Sequence, residues 1–134
     1  MKRTYLAILI ALIALCTLAC AHDEKTGNGI PAAIREFSDP SRTITAVRGE
    51  KFSIVLDSNA TTGYSWQPAA QAADHVVTLT ARDYHAPGTG LAGAGGKERL
   101  TFRAESAGTE KLTLHYLRPW EKNAPPARTV TFTV

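Results

Sequence analysis

Short runs in which apolar and polar residues alternate fill most of this chain, and they constrain its fold more than any other feature. Inward-pointing positions such as Leu112, Leu114 and Tyr116 are separated by the polar residues Thr113 and His115. A period of two is that of a half-buried β-strand, and the many threonines suit a pleated surface better than a helix. The runs occupy residues 43–47, 52–56, 64–66, 77–81, 100–104, 112–116 and 129–134.

Turn-forming glycines and prolines separate these runs, which predicts an all-β fold. The length of 134 residues supports one domain. Several short strands in that length predict that residues 42–134 form an antiparallel β-sandwich. A closed barrel is the alternative architecture. Trp66 is the expected core anchor, and residues 68–74 could form a single helical turn.

The first 41 residues differ in character from the rest of the chain. Two cations, an apolar run and a polar break after Cys20 predict a signal peptide over residues 1–19. The run is short for a membrane-spanning helix. Residues 17–20, Thr-Leu-Ala-Cys, resemble the lipobox of bacterial lipoproteins, so Cys20 is the expected lipidation site and 20–41 the lipidated cysteine with a flexible tether.

Both ways of processing this leader place the domain outside the cytoplasm. We expect a periplasmic domain with a lipid anchor in the outer membrane, because Ala21 follows Cys20 where an aspartate would favour inner-membrane retention. The alternative is simple secretion after cleavage at the small residues 19–21.

Charge and cysteine content exclude several classes of function. The net charge of +3 falls to +1 without residues 1–19, which gives no electrostatic reason to expect a nucleic-acid partner. Both cysteines lie near the N-terminus, so the body of the chain holds no disulfide framework, cysteine-ligated zinc or cysteine nucleophile. We expect no metal, no cofactor and a monomer.

Three loops between the predicted strands carry unusual residues. The first places two threonines before a glycine at residues 59–64, and the second is a long glycine-rich stretch over residues 83–96. This stretch lacks the first glycine and the Ser/Thr of a phosphate-binding loop, and a strand follows it. The third loop holds Trp120 between prolines, and a tryptophan beside an arginine at a rigid tip is typical of interface hot spots. Trp120 could alternatively fold back as a cap on the sandwich.

Taken together, the three loops resemble those of the chagasin family, the protein inhibitors of papain-like cysteine peptidases. That family carries N-P-T-T-G-[YF], G-x-G-G and R-P-[WF] in this order. Here the motifs are Asn59-Ala60-Thr61-Thr62-Gly63-Tyr64, Gly93-Ala94-Gly95-Gly96 and Arg118-Pro119-Trp120. The departure is Ala60 in place of the frequent proline, which bears on the stiffness of the first loop.

The resemblance implies an immunoglobulin-like β-sandwich with inhibitory loops clustered at one end. It implies that all thirteen of these residues bind a peptidase such as papain or a cathepsin L-type enzyme, reversibly and by blocking the active-site cleft. Thr61 would lie nearest the catalytic cysteine, the other two loops would hold the flanks of the cleft, and Trp120 would stack on aromatic surface beside it.

The residues themselves are consistent with a protein that blocks an enzyme and is not one. The four histidines are scattered, no G-x-S-x-G occurs, and His85 in the second loop is the one candidate base. Two alternatives remain open on sequence alone. One is an extracytoplasmic immunoglobulin-like binding module for a glycan or an adhesion partner, and the other is a small hydrolase.

Overall fold

A computed structural model describes residues 33–69, 75–88 and 93–134 of the chain. This part contains seven strands: β1 (Arg35–Phe37), β2 (Lys51–Ser58), β3 (Ser65–Pro68), β4 (Val77–His85), β5 (Gly96–Ala104), β6 (Lys111–Leu117) and β7 (Arg128–Thr133). One 3-10 turn, Ala60–Thr62, joins β2 to β3. No helix among the described residues is long and apolar enough to cross a bilayer.

The strands form two sheets packed face to face. One sheet has the order β1-β2-β5-β4 and the other has the order β3-β6-β7, so the architecture is a sandwich and not a closed barrel. The prediction of an all-β sandwich is therefore confirmed. All pairs are antiparallel except β1 with β2, which run parallel.

The core lies between the two sheets and uses the alternating residues of each strand. Trp66 is 1% exposed, as expected of the core anchor, and Phe52 stacks on Phe102 with ring centroids 5.8 Å apart. Both sheets contribute fully buried side chains, which means that neither sheet could bury its apolar face alone. The main members are Ile44, Phe52, Ile54, Trp66, Val77, Leu100, Phe102, Leu112, Leu114 and Phe132.

Strand register brings the three unusual loops to one end of the sandwich. Ser58 at the end of β2 pairs with Gly96 at the start of β5, and Ser65 at the start of β3 pairs with Leu117 at the end of β6. Residues 59–64, 93–95 and 118–120 follow or precede these positions directly. We call this end of the sandwich the loop end.

The N-terminal part of the domain differs from the expectation. Residues 35–37, which composition assigned to the tether, form β1 because Phe37 packs edge-on against Phe52 and Arg35 is paired with Glu50. Residues 43–47, expected as a strand, lie outside both sheets. Ile44 is nevertheless buried there and donates a single backbone hydrogen bond to Thr133.

The second loop is shorter than expected, because β4 continues to His85 and pairs with β5 up to that residue, with an irregularity at Thr80. His85 therefore lies at the end of a strand, opposite Lys97, and not inside a long loop. The leader, Cys20 and the possible helical turn, apart from residues 68 and 69, lie outside the described residues. Pro68 itself belongs to β3.

Candidate functional site

The first loop is held in shape by its own asparagine. Asn59 caps the 3-10 turn: its side-chain oxygen accepts hydrogen bonds from the backbone N–H and the hydroxyl of Thr61, at 3.2 and 2.7 Å. The hydroxyl of Thr62 donates to the carbonyl of Asn59 at 2.6 Å. A capped turn is stiff because the orphan donors at its start are satisfied. Ala60, Thr61 and Thr62 are all exposed on this support.

Gly63 ends the turn and provides the seat for Trp120. Its φ of 77° lies in the left-handed region, which glycine adopts without strain. A Cβ atom at Gly63 would overlap Cη2 of the Trp120 indole and lie 2.8 Å from Cζ2. Only a glycine therefore lets the indole lie against the backbone of the first loop. The indole is 64% exposed, so it is not a cap folded back onto the sandwich.

Arg118 joins the third loop to the first. Its Nε donates to the carbonyl of Thr62 at 3.1 Å, and its guanidinium lies over the ring of Tyr64, 4.6 Å from the centroid. A hydrogen bond to Glu121 raises the pKa of the Arg118 guanidinium above its ordinary value, so the group stays charged. Pro119 comes just after β6 ends and cannot extend the ladder.

The glycine-rich segment contacts the first loop from the other side. The side-chain amide of Asn59 donates to the carbonyl of Gly93 at 2.9 Å, and Gly93 itself has a φ of 80°. A Cβ atom at Gly96 would overlap the carbonyl oxygen of His85, which explains a glycine at the start of β5. Gly95 lies close to the backbone of Ser58. The structure thus brings the three motifs, Ala94 included, together at the loop end.

A buried layer beneath the loops was not predicted as part of the site. Tyr116 stacks on Tyr64 and packs at a tilt against Trp66, with ring centroids 5.2 and 5.0 Å apart, and its hydroxyl accepts from the backbone N–H of Asn59 at 2.8 Å. Glu98 is 3% exposed, and one of its carboxylate oxygens accepts from Ser58 and from the backbone of Trp66. The inward parity of Glu98 with Leu100 is the sequence signal that could have found it.

The chemistry at the loop end is that of a contact surface. Lys97 donates to Asp57 beside the loops, and that hydrogen bond lowers the pKa of the Asp57 carboxyl below its ordinary value. Across residues 33–69, 75–88 and 93–134 no three His, Cys, Asp or Glu side chains are grouped to hold a metal ion. What the site offers instead is an exposed indole, threonine hydroxyls and backbone edges on a stiff support.

Comparison with known proteins gives the same assignment. The model of the family described as "Chagasin family peptidase inhibitor I42" matches residues 45–134. Amoebiasin-1 of Entamoeba histolytica is 41% identical over 93 residues, covering 69% of this chain and 85% of that protein. Chagasin of Trypanosoma cruzi is 34% identical over 95 residues, covering 69% and 84% respectively.

Two solved structures share the fold. The solution structure of Amebosin superposes with a TM-score of 0.55 at 34% identity, over 75% of this chain and 92% of that one. The cysteine protease inhibitor EhICP2 of Entamoeba histolytica gives a TM-score of 0.59 at 24% identity, over 75% and 93%. The three motifs, the immunoglobulin-like sandwich and these similarities lead to one conclusion: this chain belongs to the chagasin family and acts as a peptidase inhibitor, not as an enzyme.

Proposed function

We propose that the loop end blocks the active-site cleft of papain-like cysteine peptidases, reversibly and with one domain bound per peptidase. The observation that carries the proposal is the direct fastening of the three loops to one another, by Asn59 to Gly93, Arg118 to Thr62 and Trp120 against Gly63. The first loop would enter the cleft with Thr61 nearest the catalytic cysteine. The other two loops would contact its flanks.

Stiffness is what such an inhibitor needs, because a flexible loop loses conformational entropy on binding and fits the cleft as a substrate does. Here the turn at Ala60–Thr62 is fixed by the Asn59 cap even though alanine stands where the family often has proline. Trp120 is the natural anchor, since a large exposed aromatic side chain on a rigid support is the usual form of a binding hot spot.

Titration of papain and a cathepsin L-type enzyme with the chain that lacks residues 1–19, the predicted signal peptide, tests the proposal. We expect activity to fall linearly to zero at one equivalent and to return when the complex is diluted. Trp120→Ala should weaken inhibition by at least about 30-fold, because hot-spot truncations cost about 2 kcal/mol or more. The matched control is Val47→Ala at a residue that is 71% exposed and precedes the start of β2, at the end of the sandwich opposite the loop end.

The proposal fails if both enzymes stay fully active in the presence of excess chain. It also fails if the chain is digested within the first loop at the rate of an ordinary substrate. Equal loss of inhibition by Trp120→Ala and Val47→Ala would exclude the loop end as the contact surface.

We also infer that Cys20 carries the lipid that anchors the protein at the periplasmic face of the outer membrane. The lipobox-like residues before it support this. β1 runs parallel to β2, with Arg35 beside Phe52. The chain therefore enters the described domain at the end opposite the loops. Twelve residues separate Cys20 from Ala33.

The two cysteines of the chain provide a matched test of the anchor. Cys20→Ala should abolish incorporation of labelled palmitate and release the protein from the membrane fraction, whereas Cys16→Ala should leave both unchanged. Unchanged labelling and membrane association in the Cys20→Ala protein would contradict an anchor on Cys20, and absence of both from the unaltered chain would favour simple secretion.

A further inference from the structure

Buried side chains hold both ends of the first loop from below. Ser58 immediately precedes the loop and donates to a carboxylate oxygen of Glu98 at 3.1 Å, and the backbone N–H of Trp66 donates to the same oxygen at 3.1 Å. Between these two points the phenol oxygen of Tyr116 accepts from the N–H of Asn59 at 2.8 Å. Asn59 is the residue that caps the turn, so this contact sets where the turn begins.

The phenol oxygen is itself held in a fixed position. Tyr116 is 8% exposed, its ring contacts the rings of Tyr64 and Trp66, and the guanidinium of Arg128 lies 5.9 Å from its centroid. A buried ring that contacts two other aromatic rings cannot follow a loop that shifts, because moving it would disturb the packing of the core. The hydroxyl is thus a rigid reference point 57 residues from Asn59 in sequence.

We propose that Tyr116 is a positioning residue for inhibition: its hydroxyl fixes the position of Asn59 relative to the two sheets. Because Asn59 caps the turn, this also fixes the position of the exposed Thr61. The inference rests on the proposed function. Without the hydroxyl, the Asn59 N–H loses its partner beside a cleft of about 310 Å³ that Asn59 and Tyr116 line together with Asp57, Ser58 and Gly95. Water entering this cleft can replace the hydrogen bond but cannot hold the loop in one place.

Tyr116→Phe, made in the chain that lacks residues 1–19, removes the hydroxyl and keeps the stacked ring. We expect its inhibition constant for papain to rise about tenfold, which corresponds to the loss of one well-placed hydrogen bond. The amide of Asn59 should exchange with solvent at least about ten times faster, while the melting temperature changes by only a few degrees. A change in global stability alone does not alter the affinity of a chain that stays folded. The inhibition constant and the exchange rate of the Asn59 amide together therefore distinguish a loss of positioning from a loss of stability.

Thr113→Val is the matched control, because it removes a hydrogen-bonded hydroxyl from the same strand, at the bond between Thr113 and Thr131. Its inhibition constant and the exchange of the Asn59 amide should both be unchanged. Normal inhibition or unchanged exchange in Tyr116→Phe would overturn the inference. So would an equal loss of inhibition in Thr113→Val. If the unaltered chain inhibits no papain-like enzyme, the proposed function itself fails. If the unaltered chain inhibits and Tyr116→Phe inhibits equally well, only the inference about Tyr116 fails.

Discussion

Replacing Gly63 by alanine separates the stability of the first loop from its part in binding. Alanine at a φ of 77° is disfavoured by about 1–2 kcal/mol. The new methyl group would also overlap the indole of Trp120. Because that indole is 64% exposed, it can rotate away into solvent, and relief of the overlap adds little to the cost. We expect the free energy of unfolding, measured with urea, to fall by about 1–2 kcal/mol.

The effect of Gly63→Ala on inhibition should be larger than its effect on stability. A displaced Trp120 can no longer meet the peptidase as the wild-type side chain does, and loss of a tryptophan hot spot costs about 2 kcal/mol or more. That corresponds to an inhibition constant for papain at least about 30-fold higher. The measurement is a progress-curve assay with active-site-titrated papain and the concentration of folded inhibitor fixed by its unfolding curve.

Gly49→Ala is the matched control. Gly49 has a φ of 85°, and nothing lies within 4 Å of the position that a Cβ atom would take. We expect a similar loss of stability and no change in inhibition. Equal inhibition by the two alanine variants would refute the reasoning. So would full additivity of Gly63→Ala with Trp120→Ala, because both changes are expected to act through the same indole.

Three further outcomes follow from the loop end. Ala60→Pro should raise the free energy of unfolding by about 0.4–1 kcal/mol and tighten papain inhibition, since Asn59 already has the extended backbone that precedes proline. Asn59→Ala should lower the unfolding free energy by about 1 kcal/mol in urea and weaken inhibition, because it removes the cap and the hydrogen bond to Gly93. Lys97 lowers the pKa of Asp57, so the small contribution of this exposed pair to stability is present at neutral pH and lost as the pH falls through the lowered pKa. Urea midpoints of wild type and Asp57→Asn should therefore differ near pH 7 and converge in acid.

The strands that sequence analysis predicted best are those in which large apolar residues recur at every second position. Phe52, Ile54 and Leu56 in β2 are of this kind, as are Leu112 and Leu114 in β6. Such residues can be buried on one face only in an extended chain, so local pattern and final structure agree. The clustering of the three motif loops at one end was foreseen from the family resemblance, and the register of β2 with β5 supplies its physical basis.

What the pattern could not show depends on contacts between distant parts of the chain. β1 has three residues, too few for a period, and it forms because Arg35 reaches Glu50 and Phe37 reaches Phe52. The hydrogen bond from Asn59 to Tyr116 joins residues 57 positions apart. Residues 43–47 alternate as a strand does but have only one backbone bond to a sheet at Ile44, which no local signal distinguishes.

Two of the three contacts that join the loops are hydrogen bonds whose acceptor is a backbone carbonyl oxygen. Arg118 binds the carbonyl of Thr62, and Asn59 binds the carbonyl of Gly93. Every residue has a backbone carbonyl, so these hydrogen bonds do not depend on the side chain of the accepting residue. The scaffold is therefore suited to retargeting: a combinatorial library at positions 60 and 94 would vary the recognition surface while the hydrogen bonds between the loops stayed in place.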